Sequence, residues 1–185
     1  MFPILVDLKA INVALVGNGE AALRRLNLLD VDRAKVAVYA PTPLAGLAMA
    51  AGERIIRRYP ATAELRQYQL LFLAGLAKLE AGNLACAARE AGILVNTEDD
   101  AELSDFHVPA IVRRGDLTIT VSTGGASPAL ARILKRRLEG EFGEHWAERV
   151  AEVATWRRVW RAQGLGGSEI TERTENAMTA RGWLS

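Results

Sequence analysis

Cysteine is almost missing from this chain: Cys86 stands alone among 185 residues, so no internal disulfide can form. A fold without such cross-links suits a reducing compartment, and the cytoplasm is the expected location. Cys86 lies in a small-residue stretch with helical spacing and is expected to be packed rather than reactive. Histidine is nearly as scarce. His107 and His145 lie far apart, without Cys or acidic partners at metal-ligand spacing, so no structural metal site is legible. No G-x-S-x-G elbow is present, which leaves Ser–His–Asp hydrolysis without support. No apolar run is long enough to span a membrane, and Met1 to Leu8 lacks the basic start and cleavage site of a secretion signal. Neither charge dominates. With 23 Lys and Arg against 22 Asp and Glu, the net charge of +1 gives no global pull toward nucleic acid.

What is present is ordinary globular material, 50% apolar and 24% charged, with length for one sizeable domain and an appendage. Arginine gathers in the later half, at Arg113 and Arg114, Arg132 to Arg137, and Arg157 to Arg161. Such forks suit planar carboxylates and phosphates, although solvated helix faces give the same pattern. Up to about residue 110, short apolar runs alternate with helix-period stretches. Strands are expected at 11–16, 35–40, 54–58, 70–74 and 93–95, and helices at 20–29, 44–51 and 79–91, with a helical turn at 63–66. That alternation predicts an α/β fold, a Rossmann-type parallel sheet covered on both faces. Beyond Pro109 the pattern changes to a hairpin, 110–113 and 117–121, around Arg114-Gly115-Asp116. Ser127-Pro128 then opens a helix running to about 138, with Ser as N-cap and Pro at the first position. Trp146, Val150, Val153, Trp156 and Trp160 recur at helical spacing as a packing stripe. The stretch after Gly164 is weakly patterned, helical at most around 169–180.

Three segments carry chemistry. Val16-Gly17-Asn18-Gly19-Glu20-Ala21-Ala22 is the G-x-G-x-x-A variant of the dinucleotide fingerprint, placed between an apolar strand and an amphipathic helix. Gly17 permits the tight turn, Gly19 removes a Cβ that would strike a diphosphate, and the helix-opening N–H groups hold the anion. The acidic residue that normally meets the adenosine ribose is missing, since the second strand ends Tyr39-Ala40-Pro41-Thr42. These residues leave NAD and NADP undecided. Asn96-Thr97-Glu98-Asp99-Asp100 follows a strand whose carboxyl end should face the ligand crevice, where a carboxylate could take a proton as hydride departs. An acidic solvated loop is the competing possibility. Ser122-Thr123-Gly124-Gly125-Ala126-Ser127-Pro128 is either an anion nest or a plain hairpin-to-helix connector.

Together with Phe2-Pro3-Ile4, the run Phe106 to Gly115 and the run Ser122 to Arg132, these segments make the chain resemble the precorrin-2 dehydrogenase family, the N-terminal module of siroheme synthase. The resemblance covers about residues 1–140. It implies an NAD-dependent oxidation of precorrin-2 to sirohydrochlorin and, as in bifunctional members, insertion of ferrous iron to give siroheme. It also implies a homodimer built from an NAD-binding Rossmann domain (1–109), a dimerisation segment (110–141) and a small helical domain (142–185). By the same likeness Asp99 is the catalytic aspartate, and Gly17, Gly19, Glu20, Ala21, Pro41 and Thr42 contact NAD. The tetrapyrrole, rich in carboxylates, would meet Arg113, Arg132, Ser122, Thr123, Gly124 and Gly125, with the metal ligated by the macrocycle. No nucleic-acid or membrane partner is expected. Two departures stand out: Ala74-Gly75-Leu76-Ala77 replaces an Ala-Thr-Asp-Asp run, and Thr123 replaces a serine found in some members. A uroporphyrinogen methyltransferase domain is not expected within these residues. Two alternatives remain beside the dehydrogenase: a non-catalytic NAD-sensing module, favoured by the altered Ala74–Ala77 run, and a chelatase without redox activity.

Overall fold

The apolar runs become strands because each can be covered on both sides. In the computed structural model, which describes residues 2–32 and 34–183, β1 (Asn12–Gly17) buries every residue from Val13 to Val16. β2 (Lys35–Tyr39), β3 (Ile55–Ile56), β4 (Leu70–Ala74) and β5 (Leu94–Thr97) complete a parallel sheet in the order β3-β2-β1-β4-β5. Its register sets Val13 beside Val36 and Leu70, and Gly17 beside Ala74. The chain moves outward from β1 to β3 and then returns to β4. This reversal makes the carboxyl ends of β1 and β4 the switch point where such sheets bind ligands.

Helix α1 (Gly19–Val31) and α2 (Ala45–Ala51) cover one face, where Ala22, Leu26, Leu29 and Leu47 pack on Val13, Leu15, Val38 and Phe72. On the other face, Ala81, Ala85 and Ala88 of α4 (Lys78–Glu90) and Leu65 of the short α3 (Thr62–Leu65) meet Val16, Leu71, Leu73 and Val95. Full burial of a single leucine such as Leu15 contributes about 1.5–3 kcal/mol, so this two-sided core fixes the sheet. Because alanines form the buried face of α4, Cys86 falls on the outer face. It is exposed rather than packed, 3.7 Å from the Glu90 carboxylate. The strand expected at 54–58 contracts to two residues. Gly52–Arg54 forms a 3-10 turn pinned by Arg54, which donates to the carbonyls of Ala50 and Ala51 and pairs with Asp30.

The chain divides into two units, Met1–Val108 and Pro109–Ser185. In the second, β6 (Ala110–Arg114) and β7 (Leu117–Val121) form the antiparallel hairpin, and α5 (Pro128–Glu141) starts on the Ser127 cap, whose Oγ accepts from Leu130 N at 3.2 Å. Arg114 is consumed by structure. Its guanidinium, mostly covered, donates to the carbonyls of Phe142 and Glu139 at the end of α5 and pairs with Glu144. α6 (Trp146–Ala162) packs on α7 (Gly167–Ala180), a full helix where the sequence pattern was faint. Stacking holds its end: Trp183 lies on Trp156 with centroids 5.5 Å apart, and Arg149 sits between Trp146 and Trp183, 5.1 Å from each ring. Among the described residues no helix is long and apolar enough to cross a membrane.

Candidate functional site

At the switch point two loops interlock with no room for side chains between them. A Cβ on Gly17 would collide with the carbonyl oxygen of Ala74, and one on Gly75 with that of Asn18. The turn and the β4 loop thus support each other, and Asn18 N donates to Ala74 O at 3.1 Å. Gly75, with φ +68°, lies within the run that departs from Ala-Thr-Asp-Asp. The backbone here follows a left-handed path that a threonine would resist.

Asn18 is the keystone of the nucleotide cradle. As N-cap of α1 its Oδ1 accepts from Gly19 N and Leu44 N, both at 2.8 Å, while its Nδ2 donates to Thr42 O at 2.7 Å. One side chain therefore gathers Gly17, Gly19, Glu20, Ala21, Pro41 and Thr42 around the opening of α1. The N–H groups of Glu20 and Ala21 belong to the first turn, where no intrahelical carbonyl reaches them. A Cβ on Gly19 would meet nothing nearer than Leu44 Cδ1 at 3.9 Å, so a diphosphate has space to approach the backbone. The Glu20 side chain points into solvent toward Arg24, leaving contact to its backbone. These residues fit a dinucleotide.

At the end of β2, Ala40 is buried and Pro41 and Thr42 are exposed, with no charged group among them. The Arg58 guanidinium lies 5.8 Å from the Tyr39 ring and is committed to Glu64, both of whose oxygens it binds at 2.6 Å. Those bonds, with a third from Ala61 N–H, hold the Glu64 carboxyl at about 2, below its usual 4.5. Behind them Tyr68, buried and sharing a 3.0 Å hydroxyl contact with Tyr39, has its pKa raised, by burial first.

Past β5 the acidic run separates into distinct roles. Asp100 accepts from the N–H groups of Glu102 and Leu103 at 3.1 Å, and Asp105 accepts from Val95 N and pairs with Arg89, each at 2.9 Å. Ser104 Oγ accepts from Thr97 N and contacts the carbonyl of Asp100. These groups close a tight turn in which Thr97 and Asp100 bridge and Asp100 N reaches back to Thr97 O. Asp99 occupies the third position of that turn at φ +60°, the only non-glycine left-handed residue among those described. The conformation costs about 1–2 kcal/mol for an L-residue. Its carboxylate is exposed and has no hydrogen-bond partner among the described residues. Asp99 is thus an exposed left-handed carboxylate at a strand's carboxyl end, open to solvent and to a ligand alike.

Ser122, Thr123, Gly124, Gly125, Arg113 and Arg132 belong to the second unit. The hydroxyls of their loop are spent on the loop itself. Ser122 Oγ accepts from Gly124 N, and Thr123 Oγ1 accepts from Ser127 N and donates to Ser127 O. What remains open is backbone, for a Cβ on Gly125 would touch nothing within 4 Å. Arg113 is half-buried and Arg132 exposed. Asn18 and the Arg24–Glu98 pair escaped sequence reasoning. An Asn inside a G-x-G turn does announce a cap, but nothing along the chain announces the pairing of Arg24 with Glu98. Among the described residues, no group of three or more His, Cys, Asp or Glu could hold a metal ion.

A parallel sheet whose glycine turn opens a helix at the switch point, with its second glycine uncrowded, defines a Rossmann-type dinucleotide-binding protein. Residues 4–110 match a family described as "Putative NAD(P)-binding", and residues 114–141 match one described as "Sirohaem biosynthesis protein central". The chain belongs to this NAD(P)-binding family, and its cofactor is a nicotinamide nucleotide. It is 38% identical over 140 residues to a siroheme synthase of Methylococcus capsulatus, covering 74% of this chain and 30% of that one. A siroheme synthase of Chromobacterium violaceum is 35% identical over 176 residues, covering 86% and 37%. The chain thus spans about a third of the length of these curated relatives. In fold it is similar to a solved structure named SirC, precorrin-2 dehydrogenase, with TM-score 0.75 and 24% identity over 95% of this chain and 88% of that one.

Proposed function

We propose that this chain oxidises precorrin-2 to sirohydrochlorin with NAD. The observation that carries the proposal is Asp99, an exposed carboxylate at φ +60° in a turn whose Asp100 carboxylate is committed to the loop's own backbone. Removing two electrons and two protons from the tetrapyrrole delivers one hydride to the cofactor and releases one proton. Bound NAD would supply the hydride acceptor. The chain's own residues do the rest. The opening amides of α1 bind the diphosphate, Asp99 accepts the proton, and Arg113 and Arg132 pair with substrate carboxylates while Gly124 and Gly125 admit the flat ring. NAD is favoured over NADP because the end of β2 offers no cation to a 2′-phosphate and Arg58 is already bound to Glu64. We place the protein in the cytoplasm as a homodimer. Its segment 110–141 carries the dimer contact through Leu130, Ile133 and Leu134, which α5 leaves exposed.

Asp99 is equally suited to take the pyrrole protons displaced by ferrous iron, which makes siroheme formation a second activity to assay. The test is to incubate the protein with precorrin-2 and NAD and follow NADH absorbance. Steady NADH production is expected. NAD binding without turnover would indicate a sensor instead, and consumption of sirohydrochlorin only with ferrous iron would indicate a chelatase.

A further inference from the structure

Strained residues persist only where their surroundings over-determine them, and the turn carrying Asp99 needs something outside itself to hold it. The bonds from Asp100 and Ser104 are local to the loop. Glu98, the other central residue of the turn, reaches further. Its Oε1 lies 3.4 Å from Nη2 of Arg24, while its Oε2 is buried with no hydrogen-bond partner. Beside it on the same strand face, Asn96 donates to Phe106 O at 2.9 Å and leaves its own Oδ1 buried and unpartnered. Arg25, the next residue of α1, lays its guanidinium over the Phe72 ring, 5.0 Å from the centroid. Burial lowers the Arg25 pKa, and attraction from Glu98, then Asp99, opposes that. One guanidinium of α1, that of Arg24, thus reaches the carboxylate of the β5 turn, with Arg25 next along the helix over Phe72. An apolar side chain would fill this corner without leaving a buried carboxylate oxygen unsatisfied, so packing alone gives no account of Glu98.

We propose that Glu98 is a positioning residue: held by Arg24, it fixes the attitude of Asp99 relative to the nucleotide cradled at the opening of α1. The inference rests on the dehydrogenase function proposed above and adds a residue to it. Helix α1 is then a strut with two loads, the diphosphate at its start and the Asp99 turn two helical turns along.

The test compares Glu98→Gln, Arg24→Met and the double variant in the full chain by three measurements. In steady-state assays with precorrin-2 and NAD, each single variant should lose about tenfold in kcat with KM little changed, the size expected of a misplaced reacting group. The double variant should lose no more than either alone, as for residues acting through one contact. Calorimetry should find NAD affinity unaltered, because the cradle is untouched. Amide hydrogen exchange at 98–100 should speed up in all three while that at 19–22 stays as in the parent. Unchanged kcat and exchange in Glu98→Gln would overturn the proposal, as would a lower melting temperature with kcat intact. If the parent binds NAD but never turns over precorrin-2, the dehydrogenase function fails instead. Exchange then decides alone, faster exchange supporting the clamp and unaltered exchange removing it.

Discussion

At the scale of single residues, Asp99 shows how function and stability pull apart. A left-handed aspartate costs about 1–2 kcal/mol, whereas glycine takes that conformation freely and gives back part of the gain as chain entropy in the unfolded state. Asp99→Gly is therefore expected to raise stability by about 0.5–1 kcal/mol in urea denaturation while abolishing precorrin-2 turnover. Asp99→Asn should leave stability near the parent value and abolish turnover equally. A Glu64 carboxyl held at about 2 binds fewer protons folded than unfolded, so its contribution is complete above its ordinary 4.5 and is lost as the pH falls from there toward 2. The urea midpoint should decline across that window, and Glu64→Gln should flatten the decline.

At the scale of elements, the interlocked glycines make a firm expectation. Gly75→Ala would force a Cβ against the Asn18 carbonyl at a left-handed position, and is expected to cost more than about 2 kcal/mol in urea denaturation. It should weaken NAD binding through the displaced turn. The loss of Thr-Asp-Asp at Gly75–Ala77 is thus a change of backbone path as well as of side chains. The strands and the glycine turn were legible along the chain because apolar runs and G-x-G spacing are local signals, and β4 and β7 fall where the runs place them. The bend at Asp99 was not, since it is set by Thr97 closing on Asp100 and by Ser104, seven residues past the strand end. Nor was the contact of Arg24 with Glu98, which joins distant parts of the chain. Helix α7 was faint because Ile170 is its one buried residue, and stacking of Trp183 replaces an apolar stripe.

At the scale of the whole molecule, α5 buries no residue in a single chain, yet Leu130, Ile133 and Leu134 lie along one side at 46%, 54% and 37% exposure. That spacing is an apolar stripe along one face of the helix, where the proposed dimer contact would sit. In a two-fold dimer each contact occurs twice, so Ile133→Asp should remove about 3 kcal/mol or more of association energy. Sedimentation velocity should show monomer where the parent sediments as dimer, with the far-ultraviolet spectrum unchanged. A parent that is already monomeric at working concentration would refute the assembly proposed for segment 110–141.

The Asn18 tie has a consequence for how this protein ages. Asn18-Gly19 is the dipeptide most prone to deamidation, since glycine leaves the following amide free to attack. Conversion to aspartate would set a carboxylate oxygen against the Thr42 carbonyl where an amide now donates, and would bring an anion to the mouth of α1. Stored samples should thus shed nucleotide affinity while the hydrophobic sheet beneath stays whole, a form of wear that melting curves alone would miss.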